Sequence, residues 1–286
     1  MKIMIPQLDF EKIRKIVEIA LDEDIGSGDI TTNRTIPSRL ECTAVFVVKD
    51  DGVIAGMPVV EMILKTFDKR LKVTRLTEEG SMVANGQGIM EVSGSAQSIL
   101  TTERLSLNFM SHLSGIATLT KKFVDKARPY NVTILDTRKT MPGLRVLEKY
   151  AVKVGGGENH RIGLFDQVLI KDNHIAVLRG LGPDYIHKAV ELARKDEKER
   201  IEIEVENMEE AENAVDAGTD MLLLDNMKVQ DMREIVDRYK GRVILEASGG
   251  VNLNTIEGIA KTGVDYISIG FLTHSAPSLD ISLDIK

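Results

Sequence analysis

The chain has 286 residues with 43% hydrophobic and 28% charged side chains, which fits a folded protein and excludes a disordered one. Its net charge of −7 argues against a general nucleic-acid binder. A single cysteine, Cys42, excludes an intrachain disulfide and a thiolate-rich metal site.

The N-terminus lacks the basic start and apolar stretch of a signal peptide. The longest apolar runs, such as Met221-Leu222-Leu223-Leu224, fall far short of a membrane span. With the cysteine content, this predicts a soluble protein of the reducing cytoplasm. Phe10, Ile13, Ile16, Val17 and Ala20 recur at helical spacing and predict a helix over 10–21, stopped by Gly26-Ser27-Gly28. Short β-rich runs follow at Thr43–Val48, Lys72–Leu76 and Ile89–Val92. Asp51-Gly52, Asn85-Gly86 and similar pairs separate them as turn signals. Residues 96–127 return to helical spacing, and Gly115 is expected to divide them into two helices.

From about residue 131, apolar strands alternate with amphipathic helices. The expected strands are Val132–Leu135, Gln167–Ile170, Ile201–Val205, Met221–Leu224, Val243–Leu245 and Tyr266–Ile269. Helices are expected at Tyr185–Arg194, Glu209–Ala217 and Val229–Tyr239. This grammar implies parallel strands with helical crossovers. The region is too short for a full eightfold barrel, so an open or incomplete α/β barrel is expected, with a doubly wound sheet as its rival.

The carboxyl ends of such strands converge on one mouth, where active sites form. Asp136-Thr137-Arg138-Lys139, Lys171-Asp172-Asn173-His174, Asp225-Asn226 and Glu246-Ala247-Ser248-Gly249-Gly250 lie at successive ends. Any one could be a solvated loop. Six strand ends in succession carrying polar or glycine-rich groups are hard to assign to solvation alone. Glu202, Glu204 and Glu206 alternate along one strand face and need cations, for which Arg138, Lys139 and Lys171 are candidates. Ser248-Gly249-Gly250, before a helix expected near Asn252 or Asn254, suits a phosphate on backbone N–H groups. Gly155-Gly156-Gly157 is expected to be a mobile loop. The set fits an anionic acid reacting with a phosphosugar, arginines for carboxylates and acidic groups for hydroxyls or Mg²⁺.

These motifs carry a resemblance. Residues 23–32, Glu103-Arg104-Leu105-Ser106-Leu107-Asn108-Phe109, the run from Asp136 to Arg145 and Gly155 to Arg161 are similar to the quinolinate phosphoribosyltransferases. So are Lys171-Asp172-Asn173-His174-Ile175, Leu224-Asp225-Asn226, residues 246–250 and residues 272–276. The resemblance implies transfer of phosphoribose from phosphoribosyl pyrophosphate to quinolinate with release of CO₂, in NAD biosynthesis, with Mg²⁺. It implies an N-terminal α/β sandwich domain (1–113), an open α/β barrel domain (114–275), and a C-terminal segment (276–286) returning to the first. It also implies a homodimer, or a higher oligomer built on it, in which Arg104 completes the neighbouring site.

By motif, Arg104, Arg138, Lys139 and Arg161 are expected on the quinolinate carboxylates with His160 beside them, Thr137 among the substrate-binding residues, and Lys171 on quinolinate or the pyrophosphate end of the donor. Glu204 and Asp225 would hold ribose hydroxyls and, through water, Mg²⁺. Ser248, Gly249, Gly250, Ser268, Gly270 and His274 would surround the 5′-phosphate. Lys139, Lys171, Glu204 and Asp225 are the expected catalytic groups. The rival readings are a molybdenum-transport-associated relative of the same scaffold, a Schiff-base lyase using Lys171, and a metabolite sensor. No membrane or nucleic-acid partner is expected.

Overall fold

The computed structural model describes residues 8–195 and 200–286. In chain order the first elements are α1 (Phe10–Ile25), α2 (Ile30–Thr35), β1 (Glu41–Val48), β2 (Gly52–Val53), α3 (Met57–Phe67), β3 (Lys72–Arg75), β4 (Met82–Val83), β5 (Gly88–Ser95) and α4 (Ala96–Ala127). There follow β6 (Thr133–Leu135), α5 (Arg145–Val154), β7 (Val168–Ile170), α6 (Asp172–Leu178), α7 (Tyr185–Ala193), β8 (Ile201–Val205), α8 (Met208–Asp216) and β9 (Met221–Asp225). The chain ends with α9 (Val229–Tyr239), β10 (Ile244–Ser248), α10 (Ile256–Ala260), β11 (Tyr266–Ser268), α11 (Phe271–His274) and β12 (Ile281–Ile285).

The chain forms two compact units. The first holds the described residues up to Lys121 with Thr140–Gly156 and Leu272–Lys286; the second holds Lys122–Lys139 and Gly157–Phe271. The division differs from boundaries at 113 and 275 chiefly at Thr140–Gly156, which carries α5 and groups with the first unit.

In the first unit, Asp9 accepts the Lys12 N–H at the start of α1, and Gly26 ends that helix at φ 50°. The strands pair antiparallel in the order β12-β1-β5-β3, so the C-terminal segment joins the sheet beside β1. Phe46, Met57, Leu64, Ile89, Ile99 and Met110 meet in one buried core. Each contributes about 2 kcal/mol by leaving water. The expected break at Gly115 does not occur, because α4 runs unbroken through it. A Cβ at Gly115 would lie 2.1 Å from the Pro277 carbonyl oxygen, so glycine there serves close packing of the returning chain and not helix termination. Nor is Gly155 part of a loose loop. It is buried and caps the C-terminus of α5.

The second unit is built on a parallel sheet of order β6-β11-β10-β9-β8-β7. Consecutive strands are neighbours from β7 to β11, and the first strand, β6, lies beside the last. That is barrel order. A doubly wound sheet instead reverses its order at a switch point. The pairing of β6 with β7 is missing from the ladder, so the barrel is open. At the free edge of β6 the chain after Gly157 forms a bridge: Glu158 pairs with Leu135, donating its N–H to Ile134 O and accepting that of Asp136. This pairing sets the course of residues 158–167. Among the described residues no helix is long and apolar enough to cross a membrane.

Candidate active site

In the parallel sheet, Glu204 registers with Leu223, which registers with Glu246; one level on, Asp225 registers with Ser248. The period of two turns these side chains to one face, in levels along the strands. The upper level carries the polar strand ends. After β6, the Thr137 hydroxyl accepts the Lys139 N–H at 3.0 Å and folds Arg138 and Lys139 into a tight turn. Lys171 is the exposed N-cap of α6, where its N–H donates to His174 Nδ1 at 2.8 Å. Beyond β9, Asn226 adopts φ 52° and donates its N–H to Ser248 O at 3.0 Å. Gly249, at φ 88°, lies so close that a Cβ there would be 2.2 Å from Asn226 Oδ1. No other residue fits without moving the Asp225-Asn226 turn. Ser268 is buried on β11, and Gly270 follows that strand. The helix expected from Asn252 or Asn254 begins instead at Ile256. Asn252 holds the preceding turn, its Oδ1 accepting the N–H groups of Asn254 and Thr255.

Glu204 is half-buried, and its carboxyl is pushed up to about 7 by burial and then by the charges of Asp225 and Asp172. Lys171 pulls the other way. Asp172, Glu204, Glu206 and Glu210 line a cavity of about 220 Å³, with Arg179 as the one basic residue in its lining. Such an excess of carboxylates suits a cation with oxygen ligands.

The barrel interior also contains carboxylates whose partners differ from those expected. Glu246 does not end its strand; it sits within β10, fully buried. Glu202 is also fully buried and takes its hydrogen bond from Gln167 Nε2 at 2.9 Å, with His160 Nε2 at 3.2 Å. The expected partnering of Glu202 by Arg138, Lys139 or Lys171 gives way to these two groups. Glu246 Oε1 lies 3.5 Å from the same His160 nitrogen. Burial first, and then the neighbouring Glu202 charge, push the Glu246 carboxyl up to about 8. Asp136, which is buried and accepts the His160 N–H at 2.9 Å, was named only as part of a strand-end motif, and Gln167 only as the start of an expected strand; neither was assigned a role at the site.

His160 and Arg161 line a cavity of about 960 Å³ with Glu158, Gln167, Phe165, Tyr266 and others. Arg161 is buried and donates from Nη1 to Gln167 O at 3.0 Å. Its proton affinity is lowered by burial and then by the charge of Arg138. A guanidinium stays charged regardless, so the buried Arg161 feels the like charge of the half-buried Arg138, offset in part by Glu202 and Asp166. Two cations in this neighbourhood suit an anionic ligand.

Thus Thr137, Arg138, Lys139, His160, Arg161, Lys171, Glu204, Asp225, Ser248, Gly249, Gly250, Ser268 and Gly270 all belong to the second unit. Arg104, exposed on α4, and His274, exposed on α11 with its Nδ1 2.6 Å from Ser275 Oγ, belong to the first.

Comparison with known proteins accounts for this arrangement. The family model of the quinolinate phosphoribosyl transferase N-terminal domain matches residues 29–114, and that of the C-terminal domain matches 116–284. A tobacco (Nicotiana tabacum) protein named quinolinate phosphoribosyltransferase [decarboxylating] 2b, mitochondrial, is 44% identical, the match covering 96% of this chain and 82% of the relative. A Bacillus subtilis protein named probable nicotinate-nucleotide pyrophosphorylase [carboxylating] is 40% identical over 96% of this chain and 93% of its own. The solved structure of the nicotinate-nucleotide pyrophosphorylase from Francisella tularensis superposes with a TM-score of 0.92 at 39% identity, covering 99% of both chains. With both domain models matched and close relatives covered over nearly the whole chain, the chain belongs to the quinolinate phosphoribosyltransferase family.

Proposed function

We infer that this chain is a phosphoribosyltransferase that joins quinolinate to the ribose of phosphoribosyl pyrophosphate. The products are nicotinate mononucleotide, pyrophosphate and CO₂, in NAD biosynthesis. The observation that carries the reading at the site is that the buried Arg161 feels the charge of Arg138, a pair of cations that suits the two carboxylates of quinolinate.

Arg138, Arg161 and Lys139 bind those carboxylates, beside Thr137 and His160, and Lys171 faces quinolinate or the pyrophosphate end of the donor. Glu204 and Asp225 hold the ribose hydroxyls. As the bond to pyrophosphate breaks, positive charge grows on the ribose, and these carboxylates stabilise it from fixed positions. Lysine charge stabilises the leaving pyrophosphate. Ser248, Gly249, Gly250, Ser268 and Gly270 receive the 5′-phosphate, which needs backbone N–H groups unobstructed by side chains. His274 completes that end. Once ribosylated, the ring nitrogen is cationic and accepts the electron pair left at C2 as CO₂ departs.

The carboxylates of Glu204 and Asp225, with Asp172 nearby, fit Mg²⁺ held through water. Bound there with the donor, it would neutralise charge on the pyrophosphate oxygens. The active form is a homodimer, or a higher oligomer built on it, in which Arg104 of each subunit serves the site of the other. The proposed compartment is the cytoplasm, on the single cysteine. The reading is tested by supplying quinolinate, phosphoribosyl pyrophosphate and Mg²⁺ and following both products. Nicotinate mononucleotide and CO₂ are expected in equal amounts. Folded protein that forms neither would favour the molybdenum-transport-associated branch of this scaffold.

A further inference from the structure

The reaction as described leaves two buried carboxyl groups beside His160 unused. Glu202 on β8, Glu246 on β10 and His160 bring one ligand atom each within 4.8 Å of one another. Both carboxylates are 0% exposed; Glu202 Oε1 has no hydrogen-bond partner, and the Glu246 oxygens are left with a long contact of 3.5 Å to His160 Nε2 and the neighbouring Ser268 hydroxyl. Buried carboxylate oxygens without donors are costly, so the cluster must hold either a cation or a proton.

The His160 ring decides between them. The Arg161 backbone N–H donates to His160 Nδ1 at 2.7 Å. The hydrogen of a backbone amide is fixed by covalent geometry, so Nδ1 must carry a lone pair. The single proton of the neutral ring is then on Nε2, pointing at Glu202 and Glu246. A metal-bound histidine needs the reverse, with Nε2 bare and Nδ1 donating. An imidazolium would set Nδ1–H against the Arg161 N–H. The cluster is therefore a proton-holding one, and the rest of its surroundings restrain the same residues. Asp136 takes the His160 N–H, Gln167 donates to Glu202, and the Gln167 carbonyl accepts the Arg161 guanidinium.

We propose that Glu202 and Glu246 are positioning residues: Glu202 accepts the His160 Nε2–H at 3.2 Å and Glu246 backs that ring nitrogen at 3.5 Å, so that Nδ1 fixes the Arg161 backbone and aims that guanidinium at a quinolinate carboxylate. Both nitrogens of His160 are thereby taken up by protein groups, and its contribution to quinolinate binding runs through Arg161. The inference rests on the reading of Arg161 as a carboxylate-binding residue.

Two measurements test it. The first is steady-state kinetics of Glu246→Ala, Glu246→Gln and Arg161→Ala. Glu246→Ala is expected to raise KM for quinolinate at least tenfold while KM for phosphoribosyl pyrophosphate stays within twofold. Glu246→Gln, which keeps a neutral acceptor and donor in place, is expected to restore KM to within threefold of the unsubstituted enzyme. If Arg161→Ala raises that KM and Glu246→Ala does not, the positioning role is wrong. If Arg161→Ala itself leaves KM unchanged, the carboxylate reading of Arg161 falls and the inference with it. The second reads the ring in the unsubstituted protein and uses a folded variant only to assign its signal. In ¹⁵N-histidine-labelled unsubstituted protein, the signal removed by His160→Asn is expected to show the Nε2–H tautomer at pH 7.5. An Nδ1–H tautomer, which a cation on Nε2 would require, or a doubly protonated ring overturns the proposal.

Discussion

At Glu246 the cost of burying a carboxyl can be followed through pH. Its folded-state pKa is about 8, against an ordinary value of 4.5. Below pH 4.5 the group is protonated in folded and unfolded chains alike and makes no difference. Between about 4.5 and 8 the unfolded chain releases the proton while the folded one keeps it, so stability falls as pH rises; above 8 the loss is complete. A glutamine has no proton to lose and escapes this cost. Glu246→Gln should therefore melt increasingly above the unsubstituted protein as pH rises from 5 to 8, reaching a gain of roughly 5 °C, and the gap should level off beyond 8. Thermal melts at several pH values check this, and a gap that does not change with pH would show that Glu246 is already ionised when buried. The same residue marks a limit of sequence reading. Glu246 and Glu202 were visible as acidic residues on or beside strands. Their shared partner, His160, comes from a distant loop, and no periodicity encodes that encounter.

At the level of elements, the strand–helix alternation after residue 131 was legible because a period near two and a period of 3.6 leave different apolar patterns. The expected strands reappear within a residue of β6 to β11, except that β10 runs three residues beyond the expected end at Leu245, to Ser248. Gly115 was misread because the helix rule is local, whereas its reason lies in the returning chain. Leu279 donates its N–H to Ser111 O, and Pro277 runs against the α4 backbone at Gly115. Two opposing effects meet in Gly115→Ala. Alanine favours a helix over glycine by about 1 kcal/mol. Against this, the new Cβ would sit 2.1 Å from Pro277 O and 2.9 Å from Ser278 Cα, both backbone atoms that cannot swing aside. Overpacking of this kind typically costs about 1–3 kcal/mol, more when backbone must move. The clash wins, and Gly115→Ala should lower the melting temperature by roughly 5 °C. A rise would mean that residues 277–278 pack less closely on α4 than described. The polar strand ends were legible one by one. The close fit of Gly249 to Asn226 was not, since it depends on the spacing of β9 and β10.

For the whole molecule, the decisive question is whether one chain can complete a site. Arg104 is exposed on α4, outside the unit that carries Arg138, Arg161, Lys171, Glu204 and Asp225. In the proposed dimer each site takes Arg138 from one subunit and Arg104 from the other. Twofold symmetry then fixes the outcome of mixing two inactive variants. Consider a dimer of one Arg104→Ala subunit and one Arg138→Ala subunit. One site receives the intact Arg138 of the first and the intact Arg104 of the second. The other site collects both substitutions. Random reassembly makes half of all dimers mixed, and half of the sites in those are intact, so about a quarter of the unsubstituted activity should return. Either variant alone should remain nearly inactive. If Arg104 served its own subunit's site, every site in the mixture would lack one arginine and mixing would restore nothing. A return of activity only after the subunits have been dissociated and allowed to reassociate, and not on brief mixing, would tie the recovery to exchange of subunits and to Arg104 acting across the dimer.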